Sequence, residues 1–162
     1  MLKLIYLVMI GQGLFACGCE DPEIYINRAE INPAFIEAYN DYRIDMGKHG
    51  FEGYGANHLK IQFTAGFGEL GKIGECEIDK DLNSEIWASI KIDKTFYAKN
   101  GPHTDKALLY HELTHCTFYI GHEGVMGNIM FWELDDNDSY WEKNWDREVE
   151  VLFNYIKEEE KD

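Results

Sequence analysis

The chain has 162 residues, 45% of them apolar and 14% aromatic, which suits one folded domain with a proper core and excludes a disordered tail. A formal charge of −15 argues against nucleic acid as a partner, because phosphate binding needs Lys and Arg gathered on one face. The same charge favours solubility and carries no substrate preference.

Residues 1–16 differ from everything after them. Lys3 supplies one positive charge, "LIYLVMI" is a short apolar run, and "GLFA" leads to Cys17. That is the layout of a secretory signal, and the run is too short for a membrane span of about 20 apolar residues. Leu14-Phe15-Ala16-Cys17 resembles a bacterial lipobox, which makes Cys17 the expected lipidation site and residues 17–30 a tether into the fold. The chain is therefore expected to be exported and lipid-anchored to the bacterial cell envelope, touching membrane through that anchor alone. Cys76 and Cys116 remain for the domain. An exported chain permits a disulfide between them, and two buried free thiols are the open alternative.

From residue 31 the elements follow in order. Asn32 is a good N-cap and Pro33 a good first helical residue. Phe35, Tyr39, Tyr42 and Met46 recur at helical spacing, and Gly47 is the expected stop. "HLKIQFTA" (58–65) alternates as a strand does. "GFGELGKI" (66–73) nearly spells a phosphate-binding loop, but Ile73 replaces the Ser or Thr that would hold Mg²⁺, so these glycines read as a loop above a cleft. "KIGECEI" (72–78) is a polar-leaning edge strand, and "IWASIKIDKTFY" (86–97) is the strongest strand signal. A helix is expected over 104–120, started by Thr104 or Asp105. The acidic stretch 133–142 misses the register of a calcium loop and reads as a solvated loop. A final helix near 144–158 places Trp145, Val149, Leu152 and Ile156 on one face. The order predicts an α+β domain over 31–162.

The chemistry concentrates in "HELTHCTFYIGHEGVMGNIM" (111–130). His111 and His115 are four residues apart and project from one helix face, so both imidazoles can reach one Zn²⁺. Glu112 sits beside the first of them, where a carboxylate can act as general base without ligating. A catalytic zinc takes three protein ligands and one open position, and His122 is the expected third ligand, with Glu123 and Asp135 next in line. The reversal that brings His122 back is expected at Gly121, because Phe118, Tyr119 and Ile120 are poor candidates for positive φ. His49, His58 and His103 lack such surroundings and read as structural or exposed.

With Met130 eight residues after His122, the pattern resembles the metzincin clan of zinc peptidases. It departs from the usual spacing. Phe118 stands where that clan has Gly, and His122 follows His115 by seven residues, as though one residue were inserted; "HELTHC…GH" resembles a group of bacterial lipoprotein-type peptidases with this longer spacing. Trp132 occupies the place of a tyrosine ligand found in some branches. The resemblance implies a small twisted mixed sheet, an active-site helix, a Met-turn at Met130 and a C-terminal helix. It implies a monomeric zinc endopeptidase acting on protein or peptide, with His111, His115 and His122 on the metal and Glu112 as general base. The competing expectation is an inactive, metal-stabilised surface lipoprotein acting as a binding module.

Overall fold

The computed structural model describes residues 28–68, 71–80, 84–122, 128–131 and 136–161. Cys17 and the expected signal lie outside the described residues, as do Glu123, Trp132 and Asp135. The chain runs β1 (Arg28–Ile31), a 3-10 turn (Pro33–Phe35), α1 (Ile36–Lys48), β2 (His58–Thr64), β3 (Gly74–Lys80), β4 (Ile86–Asp93), α2 (Lys94–Lys99), α3 (Pro102–Phe118) and α4 (Asp138–Glu159). The α+β class is as expected, with a small mixed sheet of order β1-β2-β4-β3. β1, β2 and β4 are parallel, and β3 runs antiparallel to β4 at one edge.

Strand alternation decides which face of the sheet is covered. Leu59 and Ile61 of β2 and Ala88, Ile90 and Ile92 of β4 are buried in one core with Tyr42 of α1, Leu108 of α3 and Phe153 of α4. Residues of the other parity carry charge, and Lys91 pairs there with Glu77 at 2.6 Å. The helices therefore lie on one face of the sheet.

Several boundaries depart from the sequence reading, each for a physical reason. Residues 28–30, expected in the tether, belong to β1 and pair with β2. Asn32 does cap, its Oδ1 accepting from Ala34 N at 3.1 Å, but the turn it starts is 3-10 and the α-helix begins at Ile36. That helix passes Gly47 and stops at Gly50, whose φ is +89°. There Phe51 N donates to Met46 O and Gly50 N to Gly47 O, which closes a Schellman cap. The strand predicted over 86–97 ends at Asp93, because its carboxylate accepts from Thr95 N and Phe96 N and caps α2 instead. The cap of α3 comes from neither Thr104 nor Asp105. Asp138, at the start of α4, accepts from His103 N at 2.8 Å and Thr104 N at 2.9 Å. The same residue begins α4, so 138–142 is helical where a loop was expected.

Cys76 of β3 and Cys116 of α3 form a disulfide across 40 residues of sequence. A loop of that length corresponds to about 4 kcal/mol in the chain-entropy account.

Freed from capping, Asp105 is 8% exposed, and its Oδ1 is buried with no partner among the described residues. Burial, reinforced by the charge of Asp138, pushes its carboxyl up to about 7. A carboxyl raised above its unfolded value near 3.8 costs stability as pH rises from there to about 7, and the penalty persists above. Asp105→Asn should therefore stabilise the domain at pH 8 by on the order of 2–4 kcal/mol and change it little at pH 4. Urea unfolding at the two pH values measures this; an equal effect at both contradicts it.

Candidate metal centre

α3 is buried from Ala107 to Thr114, and its C-terminal half presents His111 and His115 one turn apart. His122 arrives from the segment beyond the helix and completes a cluster. The Nε2 atoms stand 3.0 Å apart for His111 and His115, 3.1 Å for His111 and His122, and 3.2 Å for His115 and His122. Three nitrogens at about 2.0–2.1 Å from one tetrahedral ion would be about 3.3 Å apart, so the cluster lies a few tenths of an ångström from that geometry. Among the described residues this is the group able to hold a metal ion.

The protons on the rings strengthen this. His111 Nδ1 lies 2.5 Å from the Ile129 carbonyl and His115 Nδ1 2.7 Å from the Ile120 carbonyl. A carbonyl only accepts, so each Nδ1 carries the hydrogen and each Nε2 keeps a lone pair. Two such lone pairs facing each other at 3.0 Å repel. A cation between them turns that repulsion into ligation. Burial also holds His111 down to about 3, against the Ile129 bond, and lowers His115. Both are thus neutral near pH 7, as metal ligation requires.

Glu112 sits beside this cluster, 5% exposed. Burial pushes its carboxyl up to about 8; Glu75 adds to the rise and Lys72 opposes it. A cavity of about 210 Å³ opens here, lined by Lys72, Gly74, Leu108, Glu112, His122 and Phe131 among others. The strand expected at 72–78 is displaced to 74–80, but it does form the sheet edge and it borders this cavity. A larger cleft of about 440 Å³ lies around Trp87, Lys60 and Glu77, away from the histidine cluster.

Met130 is fully buried in the turn Asn128–Phe131, closed by Phe131 N donating to Asn128 O at 3.0 Å. Asn128 Oδ1 accepts from Met130 N at 2.8 Å. The carbonyl of Ile129 in this turn is the one that orients His111. The remaining histidines are structural, as expected: His49 stacks on Phe153, His58 stacks on Trp87, and His103 meets Asp138.

The reversal before His122 is a correction. Gly121 has no positive φ; Tyr119 does, at φ 60° and ψ 21°, and it ends the helix by donating its N–H to His115 O. A left-handed tyrosine costs roughly 1–2 kcal/mol. Turning at once is what carries the Ile120 carbonyl to His115 Nδ1, and the Tyr119 side chain is free to stand 56% exposed. Backbone carbonyls that orient ligands leave no side-chain signature, so Ile120 and Ile129 were not readable from sequence. Nor was Gly74, whose role depends on what it faces.

No family model, no curated protein and no solved structure matches the chain.

Among the described residues, a Cβ on Gly121 meets nothing within 4 Å. Gly121→Val should leave the affinity for an added divalent metal within about threefold of wild type, whereas Tyr119→Val places a β-branched residue at positive φ and should weaken it at least tenfold. Competition with a chelator reads both; the reverse order would return the turn to Gly121.

Proposed function

We propose that this chain is a zinc-dependent endopeptidase of the metzincin kind. The observation that carries the reading is the convergence of three imidazole Nε2 atoms beside a buried carboxyl, at the edge of a sheet. His111, His115 and His122 would hold the ion, which supplies Lewis acidity: it polarises a carbonyl and lowers the pKa of water to about 7. Zinc is the fitting metal because three neutral imidazoles and an open position match its catalytic sites.

The chain's own residues supply the rest. Ile129 and Ile120 fix the tautomers of His111 and His115. Glu112, raised by burial, is suited to take the proton of the attacking water and pass it to the departing amine nitrogen. Glu112 would be drawn the other way by a cation held on the three histidines, and would then accept that proton near neutral pH. β3, the edge strand among the described residues, can pair with an extended substrate by β-augmentation beside this cavity. Met130, buried in its turn under His111, fits the part of a Met-turn.

We further propose export and lipidation at Cys17. The Cys76–Cys116 disulfide supports an oxidising compartment. Among the described residues no helix is long and apolar enough to cross a membrane.

Two measurements test these readings. Glu112→Gln should keep one zinc per chain by elemental analysis and lose about 10²–10⁴-fold in peptide-library turnover. Full activity in that variant removes Glu112 from the mechanism; a zinc-loaded wild type that cleaves nothing leaves the binding module standing. Cys17→Ser should shift the protein from membrane to soluble fractions, and unchanged fractionation defeats the lipobox.

A further inference from the structure

β3 meets α3 through two inward-facing residues, and each makes a different contact. Cys76 is bonded to Cys116. Gly74, two residues earlier and so on the same strand face, stands against Glu112, which is one helical turn before Cys116. A Cβ on Gly74 would come within 2.2 Å of Glu112 Oε1, 2.8 Å of Cδ and 2.9 Å of Cγ. The carboxyl has little freedom to retreat, because Glu112 is buried. Gly74 is not among the residues with positive φ, so an alanine meets no backbone penalty there. The three atoms nearest to a Cβ at position 74 all belong to the Glu112 side chain.

We infer that Gly74 and the Cys76–Cys116 disulfide form a two-rung clasp that positions Glu112. The covalent rung holds the edge strand to the helix, and the bare rung gives the carboxyl its place between them. Gly74, Cys76 and Cys116 are positioning residues acting through Glu112. The catalytic consequence rests on the peptidase reading above; the geometric claim does not. This explains why a half-exposed edge strand is bonded to the helix within one turn of the metal ligands. Without that bond β3 would keep its ladder to β4 and its packing on α3 but lose its covalent tie to the helix that carries Glu112.

A thermal cycle tests the geometry without any assay of turnover. Wild type, Gly74→Ala, Glu112→Ala and the double variant are melted in parallel. With Glu112 present, Gly74→Ala should lower Tm by roughly 5 °C, as overpacking does. With Glu112→Ala the added methyl finds space, and the same change should shift Tm by no more than about 1 °C or raise it. An equal fall in both backgrounds overturns the clasp. If Glu112→Ala does not fold, Glu112→Ser removes the atoms at 2.2 and 2.8 Å, and the fall in Tm on Gly74→Ala should then be smaller than in wild type. Peptide turnover then tests the consequence. Gly74→Ala should lose about 100-fold in kcat, keep KM within about threefold, and retain one zinc per chain. Gly74→Ala/Glu112→Asp should fall less than the product of the two single losses, because the shorter acid removes the closest of the three contacts, the one at 2.2 Å. Strict multiplication, or a loss confined to KM, overturns the positioning role. Should Glu112→Gln prove fully active, Glu112 leaves the mechanism and the catalytic consequence falls, while the thermal cycle still decides the clasp.

Discussion

α3 is buried on all sides through its middle, from Ala107 to Thr114, and the rest of the molecule answers to that constraint. An unpaired polar group in such a place costs on the order of 1–3 kcal/mol, so each must find a partner. Tyr110 donates to Asp45 at 2.9 Å, and Thr114 donates to the Tyr110 carbonyl at 2.7 Å while meeting Tyr42. His111 donates to the Ile129 carbonyl. These partners come from α1 and from the turn at Met130, so satisfying the helix also fixes where those elements pack. Glu112 differs: its carboxyl borders a cavity, and burial without a matching counter-charge leaves it holding a proton too tightly for an ordinary acid. A buried group left in that state is a candidate for chemistry.

The parts of this design that lie within one stretch of chain were legible. Helical spacing of Phe35, Tyr39, Tyr42 and Met46 gave the buried face of α1, and alternation placed β2 and the start of β4. His111, His115 and His122 do come together, as their spacing implied. What was hidden depends on partners distant in sequence or on backbone atoms. Asp138 caps a helix that begins 36 residues before it, so no local pattern could name it over Thr104. Asp93 looked like the middle of a strand because Thr95, Phe96 and Tyr97 have strand-forming side chains, yet its carboxylate caps the next helix. The disulfide stayed open because spacing alone cannot pair Cys76 with Cys116.

Tyr119 shows how a correct rule can give a wrong position. Left-handed geometry does favour glycine over tyrosine, and Gly121 was two residues away. The rule prices the residue and ignores what the turn accomplishes. Reversing at Tyr119 brings the Ile120 carbonyl to 2.7 Å from His115 Nδ1, fixing a ring that the helix alone would leave free to rotate. The gain from orienting a ligand belongs to the site, and sequence-level propensities do not contain it.

The two helical ligands and the third are therefore held by different means. His111 and His115 are locked at Nδ1 by two backbone carbonyls, Ile129 in the turn at Met130 and Ile120 just beyond α3. His122 follows the Ile120 carbonyl by two residues, so the bond that orients His115 also anchors the chain that delivers His122. Its ring lies 28° from the plane of His111 at 5.0 Å, and its Nε2 reaches both neighbours. A single turn thus sets two of the three ligands, while the turn at Met130 sets the other. Loosening either turn would misplace at least one nitrogen, and a shift of about 1 Å is enough to spoil a metal site. The fold places irregular backbone, a left-handed tyrosine and a tight Asn128–Phe131 turn, where the geometry of the three rings is set.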